Sequence, residues 1–120
     1  KGEWEVSSVL GVDAAEKTVY FQGTEKSPLE RHIYSLKLDG GQPQRITSDE
    51  GTWDANYSPN GAWWVGRHSS ITRPAGQDVY VASGAKHATL VERDTTVADR
   101  FEVLPTEYHT VKLDDGTVLY

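Results

Sequence analysis

The chain repeats itself, and the repeat limits what it can fold into more than any other feature. Trp4-Glu5 returns 49 residues later as Trp53-Asp54, and Ile33-Tyr34 returns 46 residues later as Val79-Tyr80. Within each repeat apolar and polar residues alternate, which sends successive side chains to opposite faces of a strand. Thr18 to Gln22 sets Val19 and Phe21 against Tyr20, and His32 to Leu38 sets Tyr34, Leu36 and Leu38 against Ile33, Ser35 and Lys37. Turn chemistry divides the strands at Asp39-Gly40-Gly41, Ser58-Pro59-Asn60-Gly61, Ser83-Gly84 and Asp114-Asp115-Gly116. There Gly reaches positive φ without a Cβ clash, Pro presets φ, and Asn or Asp tolerates the left-handed region. The pattern predicts an all-β protein made of hairpins.

Each repeat holds four strands. The first set is predicted at Trp4–Leu10, Thr18–Gly23, His32–Leu38 and Gln44–Thr47, and the second at Trp53–Tyr57, Trp63–His68, Asp78–Ala82 and Thr89–Glu92. A four-stranded unit recurring at this period is the signature of a β-propeller blade. Two blades cannot close a ring that has four to eight, so the piece reads as incomplete. One stretch departs from alternation: Asp94 to Val103 offers Asp94 or Thr95 as helix caps, Val97, Ala98 and Phe101 at helical spacing, and Pro105 as a stop. The expected organisation is a blade over 1–48, a blade over 49–93, a linker with a short helix over 94–107, and a separate hairpin over 108–120.

Composition narrows the partners. Twelve Lys and Arg stand against 18 Asp and Glu, a net charge of −6, and this acidic balance argues against nucleic acid or an anionic membrane surface. Hydrophobic content is only 37%, but four Trp, six Tyr and two Phe supply the large buried surfaces that a disordered chain lacks. With no cysteine there is no disulfide, thiolate nucleophile or Cys-ligated metal site. The sequence opens at Lys1, contains no Met, and carries neither a secretory leader nor an apolar run of membrane-spanning length. The expectation is a mature protein, a proteolytic product or an excised piece.

The stretch Gly51 to Gly61, ending Tyr57-Ser58-Pro59-Asn60-Gly61, resembles the blade opening of TolB-type propellers. His32 to Thr47, turning at Asp39-Gly40-Gly41, resembles the ending of such a blade. Segment order narrows the resemblance. Trp4-Glu5-Val6, Val12-Asp13, Val19-Tyr20-Phe21 and Ser27-Pro28-Leu29-Glu30-Arg31 before Ile33-Tyr34 are similar to the late blades of dipeptidyl peptidase IV relatives. These are serine exopeptidases of the prolyl oligopeptidase family, and bacterial members match best. Leu90-Val91-Glu92 and then Thr110 to Thr117 are similar to the passage from the last blade into the α/β-hydrolase domain. Asp94-Thr95-Thr96 departs from the acidic-Asn pair that relatives often carry there.

The resemblance implies a parent that releases N-terminal dipeptides with Pro or Ala second, through a Ser–His–Asp triad, in the periplasm or outside the cell. It carries no catalytic, cofactor or metal residue onto this chain. The Gly-x-Ser-x-Gly elbow of such enzymes is absent. The family's amine-binding Glu pair also has no match, since Asp49-Glu50 sits in a connection between blades and Asp114-Asp115 in a hairpin turn.

The remaining chemistry candidates have plainer readings. His68-Ser69-Ser70 is the one His–Ser adjacency, but strand neighbours point to opposite faces. His32, His68, His87 and His109 are too scattered for a zinc site. Asp39, Asp49, Asp54, Asp114 and Asp115 suit turns, where Asp bonds nearby backbone. Glu92, Asp94, Asp99 and Glu102 suit a solvated acidic surface, Glu30-Arg31 suits a loop brace, and Gly40-Gly41 lacks the Lys and helix of a phosphate loop. Trp53, Trp63 and Trp64 gather near one hairpin; adjacent Trp63 and Trp64 must face opposite ways, one into the core. Blade packing is the first reading for these rings, and sugar stacking a lesser one.

Function therefore reads as a non-catalytic scaffold that helps govern substrate access within a dipeptidyl-peptidase-type enzyme. Its partners would be the rest of that enzyme and its peptide substrates. A TolB-like interaction module is the alternative. Two blades without a ring also expose strand edges, so self-association is expected.

Overall fold

The computed structural model describes residues 3–102, 104 and 106–120. Eight strands form two four-stranded antiparallel meanders. The first sheet runs β1 (Val6–Asp13), β2 (Thr18–Gly23), β3 (His32–Lys37) and β4 (Gln44–Arg45). The second runs β5 (Thr52–Tyr57), β6 (Trp63–Ser70), β7 (Arg73–Val81) and β8 (Lys86–Val91). One helical turn, α1 (Thr96–Arg100), follows, and then a small hairpin of β9 (Val111–Lys112) and β10 (Val118–Leu119). The all-β class, the two blade-like sheets, the short helix and the terminal hairpin are as the sequence predicts.

The sequence repeat appears as a repeated aromatic arrangement. Phe21 lies opposite Tyr34 in the β2–β3 register, and Trp64 lies opposite Tyr80 in the β6–β7 register. Trp4 sits 5.7 Å from Tyr34, and Trp53 sits 5.9 Å from Tyr80. One face of the first sheet thus carries three large rings, and the matching face of the second carries four, because Tyr57 lies opposite Trp64 and stacks on it. Gly66 makes room for this in the second sheet, because a Cβ there would lie 2.6 Å from the Trp64 ring and 2.8 Å from the Tyr80 ring. The two rings stack at 4.2 Å, 14° from parallel.

The sheets pack front to back. The ring-bearing face of the second sheet meets the opposite face of the first, so Ile33 joins Trp53, Ala55, Trp64 and Tyr80 in one buried core. Tyr20 of the first sheet stacks on Tyr57 of the second. Buried indole N–H groups are satisfied locally: Trp64 Nε1 donates to the Val81 carbonyl at 2.9 Å and Trp53 Nε1 to the Asp49 carbonyl at 2.8 Å. Burying each such ring contributes on the order of 3 kcal/mol by the apolar-area rule.

Backbone bonds fix the junction. Arg31 donates its N–H to the Gly51 carbonyl and accepts from the Trp53 N–H, a short parallel bridge between the sheets. Gln22 Nε2 donates to the Trp53 carbonyl at 2.6 Å. Gly51 at the bridge has φ +119°, and a Cβ on it would stand 2.2 Å from the Ser69 carbonyl oxygen. Only glycine meets both demands.

Several predicted boundaries move. The first strand does not begin at Trp4. Glu5 is held to Thr24 by two hydrogen bonds, the Trp4 ring folds onto Phe21 and Tyr34, and the ladder starts at Val6 and continues through two bulges to Asp13. Strand β7 begins at Arg73, five residues before Asp78, and runs through Pro74 beside a register shift, where its missing N–H is tolerated. Strand β8 spans Lys86–Val91 instead of starting at Thr89. The ladder of β4 stops at Arg45, although Ile46 N–H still bonds the Ile33 carbonyl. The helix is a single short turn within Asp94 to Val103, as expected, and its apolar residues face solvent, with Val97 66% exposed. Val103 and Pro105, the expected end and stop, lie outside the described residues.

Candidate functional site

Glu30, His32 and Thr47 form a carboxylate–imidazole–hydroxyl chain. Glu30 and His32 are two apart at the start of β3, so both side chains emerge on one face, and Thr47 returns beside them just after β4. Glu30 Oε2 lies 2.8 Å from His32 Nε2, and His32 Nδ1 lies 2.9 Å from Thr47 Oγ1. A carboxylate only accepts, so His32 Nε2 donates to it. Burial alone would raise the Glu30 carboxyl, but hydrogen bonds from His32 and Lys26 outweigh it and hold the group below the ordinary carboxylate range.

The order of groups is that of a catalytic triad, but the chemistry does not follow. His32 is fully buried and Thr47 is buried, so no carbonyl can reach the hydroxyl, which also accepts the Ile33 N–H at 3.1 Å. The chain therefore ties the β2–β3 connection to the exit of β4. On the sequence alone Glu30 reads as part of a loop brace and His32 as one of four scattered histidines. The Glu-x-His spacing on a strand was the available signal; the partner at Thr47 came only with the fold. Arg31 points elsewhere, donating to the Pro28 and Glu30 carbonyls.

His68 has no free nitrogen for Ser69 or Ser70. It is 2% exposed, stacked on Trp53 at 4.2 Å, and bonded through Nε2 to the Glu50 carbonyl and through Nδ1 to Arg93. Burial is the main cause that lowers its pKa, with Arg93 and Arg73 acting in the same direction. His87 meets the edge of Trp63, and His109 lies near Glu107 on the surface. Trp64 is 1% exposed and Trp63 41% exposed, the split that adjacency on a strand requires. With Trp53 also buried, a sugar would find only Trp63 of these three.

The acids serve local structure. Asp54 and Asp115 accept from the N–H groups of Ala55 and Thr117, while Asp49 pairs with Arg73 at 3.0 Å. Asp39 and Asp114 are exposed, as are Glu92, Asp94, Asp99 and Glu102. Gly40 and Gly41 both take positive φ in the β3–β4 turn. Among the described residues, no group of three or more His, Asp or Glu is placed to hold a metal ion.

A cleft of about 370 Å³ opens where the β2–β3 connection, the β4–β5 connection and the β6–β7 turn converge. Leu29, Glu30, Glu50, Thr52, Ser70 and Tyr108 help line it. It offers hydroxyls and carboxylates to a polar guest. Neither nearby histidine can act as a base there, because both ring nitrogens of each are already bonded.

Residues 1–75 match the family described as the dipeptidyl peptidase IV N-terminal region. The chain belongs to that family. A probable dipeptidyl-aminopeptidase B of Tuber melanosporum is 34% identical over 125 residues, covering 95% of this chain and 13% of its own length. A probable dipeptidyl peptidase 4 of Aspergillus clavatus is 25% identical over 99% of this chain and 16% of its own. The crystal structure of Porphyromonas gingivalis dipeptidyl peptidase 4 superposes with a TM-score of 0.86 at 29% identity, covering 98% of this chain and 17% of that one. The chain thus spans less than a fifth of the length of these dipeptidyl peptidase IV relatives.

Proposed function

We propose that the chain is two adjacent propeller blades of a dipeptidyl peptidase IV-type serine exopeptidase, acting as scaffold and as part of the wall that governs substrate access. The reading is carried by the front-to-back packing. Contacts between unlike faces leave a free face at each end, which further blades can extend into a closed ring, and among the described residues no sheet covers the ring-bearing face of the first sheet. There Trp4, Val9, Val19, Phe21, Leu36 and Pro43 line an apolar groove of about 360 Å³. In the whole enzyme, acyl transfer at a Ser–His–Asp triad elsewhere in the chain would release the dipeptide. The purified 120-residue chain should leave a Gly-Pro chromogenic substrate intact. Turnover that survives stringent removal of host peptidases would overturn the reading.

The same open groove favours a second outcome for the chain alone, association with further copies. Light scattering at high micromolar concentration should find species larger than a monomer, and a strict monomer would contradict this.

A further inference from the structure

Arg93 lies two residues past the end of β8, where the chain leaves the second sheet, and it is held by strands β6 and β7. Its Nη1 donates to the carbonyls of His68 at 2.9 Å and Pro74 at 2.5 Å, and its Nη2 lies 3.1 Å from His68 Nδ1. Gly76 gives the stem its space, since a Cβ there would stand 2.8 Å from Arg93 Cγ. On the far side of the imidazole, Nε2 reaches the Glu50 carbonyl at 2.9 Å. A carbonyl only accepts, so Nε2 carries the proton, and Nδ1 presents its lone pair to the guanidinium. The contact is attractive only while His68 is neutral.

We propose that Arg93 and His68 form a proton-sensitive latch, which holds the segment leaving the second sheet against β6 and β7 and lets it go when His68 is protonated. A proton on Nδ1 would set two donors and two positive charges face to face at 3.1 Å, replacing a charge-assisted bond with repulsion. Among the described residues, the groups acting on the ring come from four places. Arg93 at the exit of β8 and Arg73 on β7 oppose its protonation, Asp49 from the β4–β5 connection favours it, and Trp53 of β5 covers one ring face. A released guanidinium has somewhere to go. A polar cavity of about 250 Å³ lies beside it, with Asp49, Asp78 and Glu92 among its lining residues. Burial keeps the imidazole neutral at pH 7, so the latch is shut there and opens below the ordinary histidine range near pH 6.5.

The test is hydrogen–deuterium exchange on the full-length protein, read on peptides covering residues 91–102 and corrected for intrinsic exchange. Between about pH 7.5 and 5, exchange there should rise about tenfold relative to β6 and β7, as expected for one lost hydrogen bond to a charged group. His68→Gln keeps a polar partner that does not titrate, and should abolish the pH dependence. Arg93→Gln, at the rim and outside the core, should exchange fast at both pH values, which keeps the test decisive if the His68 variant folds poorly. Equal protection at both pH values in the wild type, or an unchanged pH response in Arg93→Gln, would overturn the latch.

Discussion

Tyr20 and Tyr57 stack at 4.2 Å with their rings 18° from parallel, one ring from each sheet. This contact joins the two blades, together with the burial of Ile33 in the core of the second sheet and the backbone bonds of Arg31. Truncating Tyr20 to Ala removes a buried ring and leaves a cavity that neither sheet can close alone. The expected loss is about 3 kcal/mol, read as a lower denaturation midpoint by Trp fluorescence. A midpoint within experimental error of the wild type would show that the sheets are held together elsewhere.

The Tyr57 hydroxyl is buried and has no hydrogen-bond partner among the described residues. Tyr34 is the contrasting case: its hydroxyl donates to Glu25 and accepts the Lys26 N–H. Tyr57→Phe should therefore be neutral or stabilising by up to about 1 kcal/mol, whereas Tyr34→Phe should cost about 1 kcal/mol. The comparison uses the same chemical deletion twice, and equal losses in both variants would contradict it.

Alkaline pH should weaken the fold. Burial, the largest cause in each case, raises the phenols of Tyr20, Tyr34, Tyr57 and Tyr80 above the ordinary tyrosine value, and Tyr80 is pushed up to about 12 with help from Asp78. In the unfolded chain these groups ionise near pH 10. Above that pH the unfolded state holds fewer protons than the folded one, so stability is lost as pH rises. Tyrosinate absorbance and unfolding should therefore advance together above about pH 10. Full ionisation of every tyrosine with the fold intact would refute this.

The strands that were legible in the sequence had clean alternation and glycine turns. Thr18–Gly23 is found as predicted, and the Asp39-Gly40-Gly41 turn carries the expected positive φ. What escaped depended on long-range partners. Trp4 looked like the start of a strand because it heads the repeat, yet its ring is placed by Phe21 and Tyr34. The predicted strand begins at Asp78, whereas Arg73, Gly76 and Gln77 also pair with β6 across a register shift, a pairing that needs the partner strand to be seen. Val97 and Phe101 stand at helical spacing in the sequence, but the fold leaves both exposed. The adjacent Trp63 and Trp64 could be assigned opposite faces from strand geometry, though not which one faces inward.

The Glu30–His32–Thr47 chain should behave as a structural tie. Thr47→Val keeps the shape but leaves the Ile33 N–H and His32 Nδ1 without their shared oxygen, at an expected cost of about 1–3 kcal/mol. Thr47→Ser retains the oxygen and should stay closer to the wild type. If the Val variant were the more stable of the two, the hydroxyl would not be the tie.

The central claim, that these blades belong to a dipeptidyl-peptidase scaffold, is tested most directly on the full-length protein that contains this sequence. A peptide with Pro in its second position is incubated with that protein, and the products are read by mass spectrometry. Release of the intact N-terminal dipeptide is the predicted result; a peptide left whole, or trimmed one residue at a time, would contradict it.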